Sequence, residues 1–234
     1  MYQSELAQNG FSSVKSVYSL SEINKIQNVI SDWVLNNEGN EVSKDVFSIR
    51  RLLEKIPELK FHLFTPNLKR IINELGSMDT FLVKAIYFDK PEGFNWFVSY
   101  HQDLSITVDE KHPVEGYTKW TFKQGQVGVI PPKEVLENVF TIRIHLDDTD
   151  DENGALRIIP KSHLKGIRRV EDIEIEKSLE VLCPIEKGSV MLMKPLTFHA
   201  SSKSKMNNRR RVIHLEFSDI ELNDPLKWRE KEIL

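Results

Sequence analysis

The sequence predicts a mainly β protein, a sandwich or jelly roll, with flanking helices in its N-terminal third. Before residue 79, apolar residues recur at helical spacing between capping residues; after it, short runs of branched and aromatic residues alternate with turn residues. Seven or eight strands of this kind are typical of a sandwich or jelly roll. We expect a single domain over residues 1–234, with a mainly helical flank at 1–78 and a jelly-roll core at 79–220. The strand-like runs are Phe81–Phe88, Trp96–Tyr100, Phe140–Leu146, Ala155–Ile159, Val181–Ile185, Ser189–Met193 and Arg211–Phe217.

Three helices are predicted in the first third. Ser19 precedes Glu22 by three residues, which is the capping-box pattern of a helix start. A second helix is expected over Phe47–Leu59, where apolar residues share one face. A third begins at Thr65-Pro66, an N-cap followed by proline at the first helical position, and ends near Gly76. We expect these helices to form scaffold rather than a site.

Within the predicted strands, Phe140–Leu146 shows two different faces. Its apolar residues alternate with polar ones, which indicates a strand between two environments. The stretch from Val108 to Glu137 contains several glycines and a Pro-Pro pair, and we expect a long loop there, of the kind that often covers a substrate site. The apolar face of the strand is Ile142, Ile144 and Leu146, and the polar face is Thr141, Arg143 and His145.

Composition excludes several classes of function. The formal net charge is −3 and the isoelectric point is about 6.2, which gives no electrostatic footprint for nucleic acid or an anionic membrane. Apolar runs are too short to cross a bilayer, and the N-terminus shows no secretory signal. The single cysteine, Cys183, excludes an internal disulfide and a multi-cysteine zinc site. We therefore expect a soluble cytoplasmic protein; its oligomeric state is not readable from the sequence.

One set of histidine and aspartate residues has the pattern of a metal-binding site. His101 and Asp103 are separated by one residue, so their side chains share a face of a strand or its end. His199 lies much later in the chain, at the end of the strand-like run Val190–Phe198. Two histidines and one carboxylate form the facial triad of non-haem iron oxygenases. A His-x-Asp pair alone is common by chance, so the residues that follow His199 decide how much weight the pattern deserves.

Those residues include an arginine suited to a diacid. Arg210 follows His199 at the start of the next strand, and in a sandwich two strands joined by a loop of this size return close to each other. A buried guanidinium binds a carboxylate through two parallel hydrogen bonds, which suits the distal end of a 2-oxo diacid. Ser201 offers a second hydrogen bond there. Arg209 and Arg211 are adjacent alternatives, so the assignment is good to about one residue.

With these motifs in place, the sequence resembles the phytanoyl-CoA dioxygenase family of Fe(II)- and 2-oxoglutarate-dependent oxygenases. The similarity spans roughly residues 81–217, and the motifs are specific as an ordered set. Where the family usually has Pro-Gly-Ser-His, this chain has Lys161 in place of the glycine. Four stretches carry the resemblance: Ile86–Pro91 leading to Tyr100–Leu104, Thr141–Asp148, Asn153–His163, and His199–Ser202 followed by Asn208–His214.

The resemblance implies a double-stranded β-helix, cupin-like, with the site inside one end. It implies that His101, Asp103 and His199 bind Fe(II), that Arg210 with Ser201 binds 2-oxoglutarate, and that O2 takes a remaining position. The implied reaction hydroxylates an unactivated C–H bond of a small molecule and releases succinate and CO2.

Several further residues receive expectations. We expect Arg143 to bind cosubstrate or substrate, or else to pair with a structural carboxylate, because an inward charge needs a partner. His163 is expected to close a turn, and Asn153-Gly154 to form a hairpin turn. Trp96 and Trp120 are candidates for the substrate pocket, with core packing as the alternative for Trp96.

Three other functions stay open. A cupin isomerase or another cupin dioxygenase would more often use three or four histidines, and would leave Arg210 unexplained. A catalytically silent member of the fold, which binds a small molecule without turnover, is compatible with the sequence. A zinc hydrolase could use the same triad, but no general base is evident beside His101. Nothing decides between an acyl-CoA and a free metabolite as substrate, since the lysines of residues 108–137 are balanced by acidic residues.

Overall fold

The fold is a β core with helices packed on one side. It is described by a computed structural model at residues 1–37, 48–90, 97–123, 125–171, 178–202 and 209–234. The helices are α1 (Tyr2–Asn9), α2 (Leu20–Asn36), α3 (Leu52–Lys55), α4 (Leu59–Leu63), α5 (Pro66–Leu75) and α6 (Lys133–Asn138). The strands are β1 (Phe11–Val14), β2 (Ser48–Arg50), β3 (Phe81–Lys90), β4 (Val98–His101), β5 (Ile106–Val108), β6 (Thr118–Lys123), β7 (Gln126–Ile130), β8 (Phe140–His145), β9 (Leu156–Ile158), β10 (Val181–Cys183), β11 (Val190–Met193), β12 (His199–Ser201), β13 (Arg210–Ser218) and β14 (Glu232–Ile233).

The described strands form three antiparallel sheets. The large sheet has the order β1-β11-β8-β13-β3-β14, with β2 also paired to β3. A smaller sheet has the order β10-β9-β12-β4, and a third has the order β5-β7-β6. Non-consecutive strands are neighbours in the first two sheets, as in a jelly roll. The predicted fold class, a mainly β jelly roll with flanking helices, is confirmed.

The strands of the large sheet have two chemically different faces. On the helix side, apolar residues pack with the buried residues of α2 and α5 in one cluster. On the opposite side, alternate residues of the same strands line a cavity together with residues of the small sheet. The helix-side residues include Ile142, Ile144, Leu146, Ile213, Leu215 and Phe217, and the cavity-side residues include Lys84, Arg143, Arg210, Val212, His214 and Glu216. The two-faced strand predicted at Phe140–Leu146 is therefore observed.

Two of the three predicted helices are present as expected. Ser19 caps α2 with a complete capping box, and Thr65 caps α5 with proline at the first turn and Gly76 at its end. The helix predicted over Phe47–Leu59 is wrong: residues 48–50 form β2, and α3 and α4 follow as two short helices; Phe47 lies outside the described residues. Arg51 adopts a left-handed φ of 53° between strand and helix, and Pro57 follows α3, so the helical pattern is interrupted twice.

The stretch predicted as a long loop has structure of its own. Strands β5, β6 and β7 pair in the third sheet, and α6 follows them. Val108, Val129 and Trp228 belong to a second buried cluster beneath this region. The expectation of a long loop over Val108–Glu137 is therefore wrong. Its period-two apolar residues from 126 to 130 were the missed signal.

None of the helices in the described ranges combines the length and apolar character needed to cross a bilayer. That residues 1–234 form a single domain stays a prediction.

Candidate metal centre

The two predicted histidine ligands lie opposite each other on neighbouring strands. His101 ends β4 and His199 begins β12, and the two residues are register partners with ring centroids 4.2 Å apart. Asp103 follows β4, and its backbone N–H donates to the Pro195 carbonyl at 2.9 Å, which ties this loop to the approach to β12. The intervening Gln102 side chain instead donates to the Leu196 carbonyl at 2.7 Å, so it anchors the loop on the other side. Local strand alternation therefore turns His101 and Asp103 toward His199.

Ligand atoms of these three residues converge. One donor atom from each lies within 4.8 Å of the others, and among the described residues no other such group of three was found. Nε2 of His101 is 3.7 Å from Oδ1 of Asp103, and Nε2 of His199 is 3.7 Å from Oδ2. These separations are too long for hydrogen bonds, so the three groups are close together without being bonded to one another.

The backbone fixes the tautomer of both imidazoles. Nδ1 of His101 is 2.8 Å from the Ser99 carbonyl, and Nδ1 of His199 is 2.9 Å from the Thr197 carbonyl. Because a carbonyl only accepts, each Nδ1 carries the proton and donates it. Each Nε2 therefore presents a lone pair, which is the arrangement found where a histidine ligand is oriented by its other ring nitrogen.

The carboxylate also fits a metal. Oδ2 of Asp103 is buried and has no hydrogen-bond partner among the described residues. Burial raises the pKa of Asp103, but His199, His214, His101 and Lys84 outweigh it and bring the pKa to about 2. Burial lowers the pKa of His199 to about 4, although Asp103 opposes this. At neutral pH the aspartate is ionised and His199 is neutral, which are the protonation states that metal ligation requires.

The run of three arginines divides between two roles. Arg209 donates to both carboxylate oxygens of Asp89, at 2.9 and 2.5 Å, and Arg211 donates to both oxygens of Asp147, at 2.8 and 2.7 Å. Arg210 lies between them, donates to the Gly154 carbonyl, and faces the cavity. It makes no ion pair within the described part of the chain. The structure therefore places Arg210, rather than either neighbour, in the cavity that the three ligand candidates line.

The remaining predicted site residues share one cavity with the triad. Its volume is about 310 Å³, and its lining includes the three metal-ligand candidates together with Ser201, Arg143 and Arg210. Arg143 is buried and donates to Nδ1 of His214 at 3.1 Å, and its Nε has no partner among the described residues. The carboxylate pairing considered for Arg143 is absent within the described ranges.

Sequence reasoning missed a hydrogen-bonded series of polar and charged side chains on the same cavity wall. Lys84 contacts Glu216 at 2.8 Å, and Glu216 accepts from Nε2 of His214 at 2.9 Å, so Nδ1 of His214 is free to accept from Arg143. Burial raises the pKa of Glu216, but Lys84 and His214 hold it below its ordinary value. The available signal was the spacing of Arg210, Val212, His214 and Glu216, which puts them all on one face of β13.

The turns near the site have different roles from those expected. Gly154 has φ +82°, and a Cβ there would lie 2.7 Å from the Ser202 carbonyl oxygen, so glycine is required beside the cavity rim. The hairpin expected at Asn153-Gly154 is wrong, because the strands on either side, β8 and β9, belong to different sheets. Asn153 closes a turn there by donating to the Asp148 carbonyl at 2.7 Å. Ser162, not His163, closes the following turn, since its hydroxyl donates to the Ile159 carbonyl at 2.6 Å. Nε2 of His163 instead donates to the Ala7 carbonyl at 3.1 Å, which links this turn to α1.

Neither of the two tryptophans expected in the substrate pocket is among the described residues that line the cavity. Trp120 packs on the second buried cluster and is absent from the described lining of the metal cavity. Trp96 lies outside the described residues.

Comparisons with known proteins agree on one family. A sequence model described as phytanoyl-CoA dioxygenase (PhyH) matches residues 6–212. Phytanoyl-CoA dioxygenase domain-containing protein 1 of Mus musculus is 23% identical over 223 residues, covering 86% of this chain and 68% of that protein. The Danio rerio protein of the same description is 22% identical, covering 90% of this chain and 72% of its own length.

Solved structures share the fold. EctD from S. alaskensis with bound Fe superposes with a TM-score of 0.72 at 15% identity, covering 95% of this chain and 78% of EctD. The non-heme alpha ketoglutarate dependent carbocyclase SnoK from nogalamycin biosynthesis gives a TM-score of 0.70 at 16% identity, covering 94% and 83%. EctD has also been solved with 2-oxoglutarate and 5-hydroxyectoine.

Proposed function

The chain belongs to the phytanoyl-CoA dioxygenase (PhyH) family, and on that premise we propose that it is an Fe(II)- and 2-oxoglutarate-dependent dioxygenase. The proposed reaction hydroxylates an unactivated C–H bond of a small molecule, with release of succinate and CO2. The observation that carries the proposal is the convergence of His101, Asp103 and His199, with both imidazoles held by backbone carbonyls so that Nε2 faces the carboxylate.

The proposed ligands are His101, Asp103 and His199, and three protein donors leave coordination positions for a cosubstrate and oxygen. When bound, the ferrous ion and 2-oxoglutarate supply the oxidising chemistry that inserts one atom of O2 into the substrate. The chain's own contribution is to keep Asp103 ionised and His199 neutral at neutral pH. Since the His199 side chain is only 5% exposed, its wall of the site also excludes water.

Arg210 and Ser201 are proposed to hold the distal carboxylate of 2-oxoglutarate. Both line the cavity that contains the triad, and Arg210 makes no ion pair with any described residue. Its bond to the Gly154 carbonyl fixes one edge of the guanidinium. The rest of its donors remain for a carboxylate, which binds a guanidinium best through two parallel hydrogen bonds.

Anaerobic titration tests this proposal. The protein is loaded with Fe(II) and then with 2-oxoglutarate, and the weak visible charge-transfer band of the chelate is recorded. We expect the band in the wild type, no band in His199→Ala, and at least tenfold weaker 2-oxoglutarate binding in Arg210→Gln. Bidentate charge-assisted bonds of this kind are worth about 1.5–3 kcal/mol, which corresponds to at least tenfold in affinity.

The neighbouring arginine provides a matched control. Arg211→Gln removes the same charge one residue away, but it breaks the pair with Asp147 and leaves the cavity unchanged. We expect that variant to lose stability and to bind 2-oxoglutarate as the wild type does. Absence of the band in folded wild type would refute the proposal, and succinate release with a panel of candidate metabolites would distinguish a turning-over enzyme from a silent binder.

A further inference from the structure

Arg143 and Arg210 share the cavity with Arg50, and 2-oxoglutarate accounts for one of these three guanidiniums. The distal carboxylate is assigned to Arg210, which lies at the start of β13 beside Ser201. Arg143 projects from β8 and is the register partner of His214, four residues further along β13. Strand residues rise by about 3.3 Å each, so the two arginine backbones lie more than 10 Å apart along the sheet. The two side chains therefore start from well-separated points on the cavity wall.

Arg143 is held in place with part of its hydrogen-bonding capacity unused. One of its amino groups donates to Nδ1 of His214, whose Nε2 donates to Glu216, which in turn pairs with Lys84. This chain fixes the plane of the guanidinium. Within the described residues Nε of Arg143 has no acceptor, no contact is made by its other amino group, and no ion pair joins Arg143 to a carboxylate. Burying a guanidinium with unpaired donors costs free energy unless an anion accepts hydrogen bonds from them.

The charge of the cavity favours an anion as well. Lys84 pairs with Glu216, Lys90 donates to the Ser202 carbonyl, and Asp89 pairs with Arg209. The rest of the described lining holds three arginines, Arg50, Arg143 and Arg210, against one carboxylate, Asp103. A ferrous ion and doubly ionised 2-oxoglutarate cancel each other, so loading the site leaves this excess of positive charge. The concentration of positive charge affects Arg210. Burial, and after it the nearby charge of Arg143, lowers the pKa of Arg210 to about 10.

Resting on the proposed function, we propose that the substrate of this site carries a carboxylate, and that Arg143 binds this group. His214 acts as a positioning residue that orients the guanidinium and touches no substrate itself. The substrate class is then a small carboxylic acid that presents a C–H bond to the metal while its carboxylate is held on β8.

The test uses pairs of small probes that differ only in charge. Protein loaded anaerobically with Fe(II) and saturating 2-oxoglutarate is titrated with propionate or propionamide, and with benzoate or benzamide. Binding is read from perturbation of the chelate band and from the rise in melting temperature. Because saturating 2-oxoglutarate occupies Arg210, we expect each carboxylate to bind at least tenfold more tightly than its amide. In Arg143→Gln we expect this preference to vanish while the chelate band still forms.

Arg70→Gln serves as the matched control. Arg70 lies on the surface of α5, and its substitution changes the net charge by the same amount. It should keep the wild-type preference. Equal binding of acid and amide by the wild type, or a preference that survives in Arg143→Gln, would overturn the proposal. Loss of the chelate band in Arg143→Gln, to the degree seen in Arg210→Gln, would assign Arg143 to the cosubstrate and overturn it too. Absence of the band in the wild type would refute the function itself.

Discussion

The two faces of the large sheet use the same strands for opposite purposes. On β13, Ile213 and Leu215 are fully buried against the helices. The alternate residues His214 and Glu216 instead belong to a hydrogen-bonded series of polar and charged side chains in the cavity. Apolar burial stabilises the first face without regard to direction. On the second face each buried charge requires a particular partner. The period of two along a strand lets one segment supply both stability and chemistry, so mutations of adjacent residues should have different kinds of effect.

The largest expected effect on stability is on the helix side. Leu215→Ala removes a side chain that is 0% exposed, and we expect a loss of about 2–5 kcal/mol in the free energy of unfolding. Val212→Ala is the comparison on the cavity side: Val212 is 2% exposed and borders the cavity, and the substitution removes a smaller side chain and enlarges an existing space. It should cost less than half as much. Urea denaturation of both variants measures the difference, and equal losses would contradict the division of roles between the faces.

Outside the cavity, a buried carboxyl group beside β3 should make stability depend on pH. Glu230 accepts from the backbone N–H of Ala85 at 3.2 Å, but its other oxygen is buried without a partner among the described residues. Burial raises the pKa of Glu230 from 4.5 to about 7, against the opposing effects of the Ala85 N–H and Lys84. The folded protein thus holds this proton more tightly than the unfolded chain does. The resulting stabilisation is complete below pH 4.5 and is lost as the pH rises through 7.

Glu230→Gln imitates the protonated side chain at every pH. The variant should match the wild type near pH 4.5 and become more stable than it above pH 7, by at most about 3 kcal/mol at 1.36 kcal/mol per pKa unit. Urea denaturation of both proteins between pH 4.5 and 8 gives the two curves. Their difference isolates this residue from every other titrating group. Parallel curves across that range would show that Glu230 is not the source of pH dependence.

Local rules predicted much of the fold and the centre of the site. Capping residues located α2 and α5, and strand alternation turned His101 and Asp103 to one side, because both are decided by neighbours within a few residues. The choice of Arg210 over Arg209 and Arg211 could not be made in this way. It depends on carboxylates supplied by other strands.

Longer-range pairing explains the other omissions. Lys84 and Glu216 are 132 residues apart in the sequence, and the residues around each of them do not indicate that the two side chains pair. The helix predicted over Phe47–Leu59 failed for a local reason instead. Pro57 was visible inside it, but nothing in the sequence marks the positive φ of Arg51, the residue between β2 and α3.

The smallest expected effect tests whether backbone strain near the site has a function. Lys161 adopts φ 64°, a left-handed conformation that costs a residue with a side chain about 1–2 kcal/mol, and it stands where the family usually has glycine. The next residue, Ser162, accepts from the backbone N–H of Phe198 at 2.8 Å, directly before the ligand candidate His199. Lys161→Gly should therefore relieve the strain and raise the free energy of unfolding by about 1 kcal/mol, measured by urea denaturation. The greater freedom of glycine in the unfolded chain offsets part of the gain. If the strain helps to set His199, the same variant will also weaken formation of the Fe(II)–2-oxoglutarate band. We expect that band to be unchanged, because two hydrogen bonds of Ser162 hold the strand start independently of the preceding φ angle.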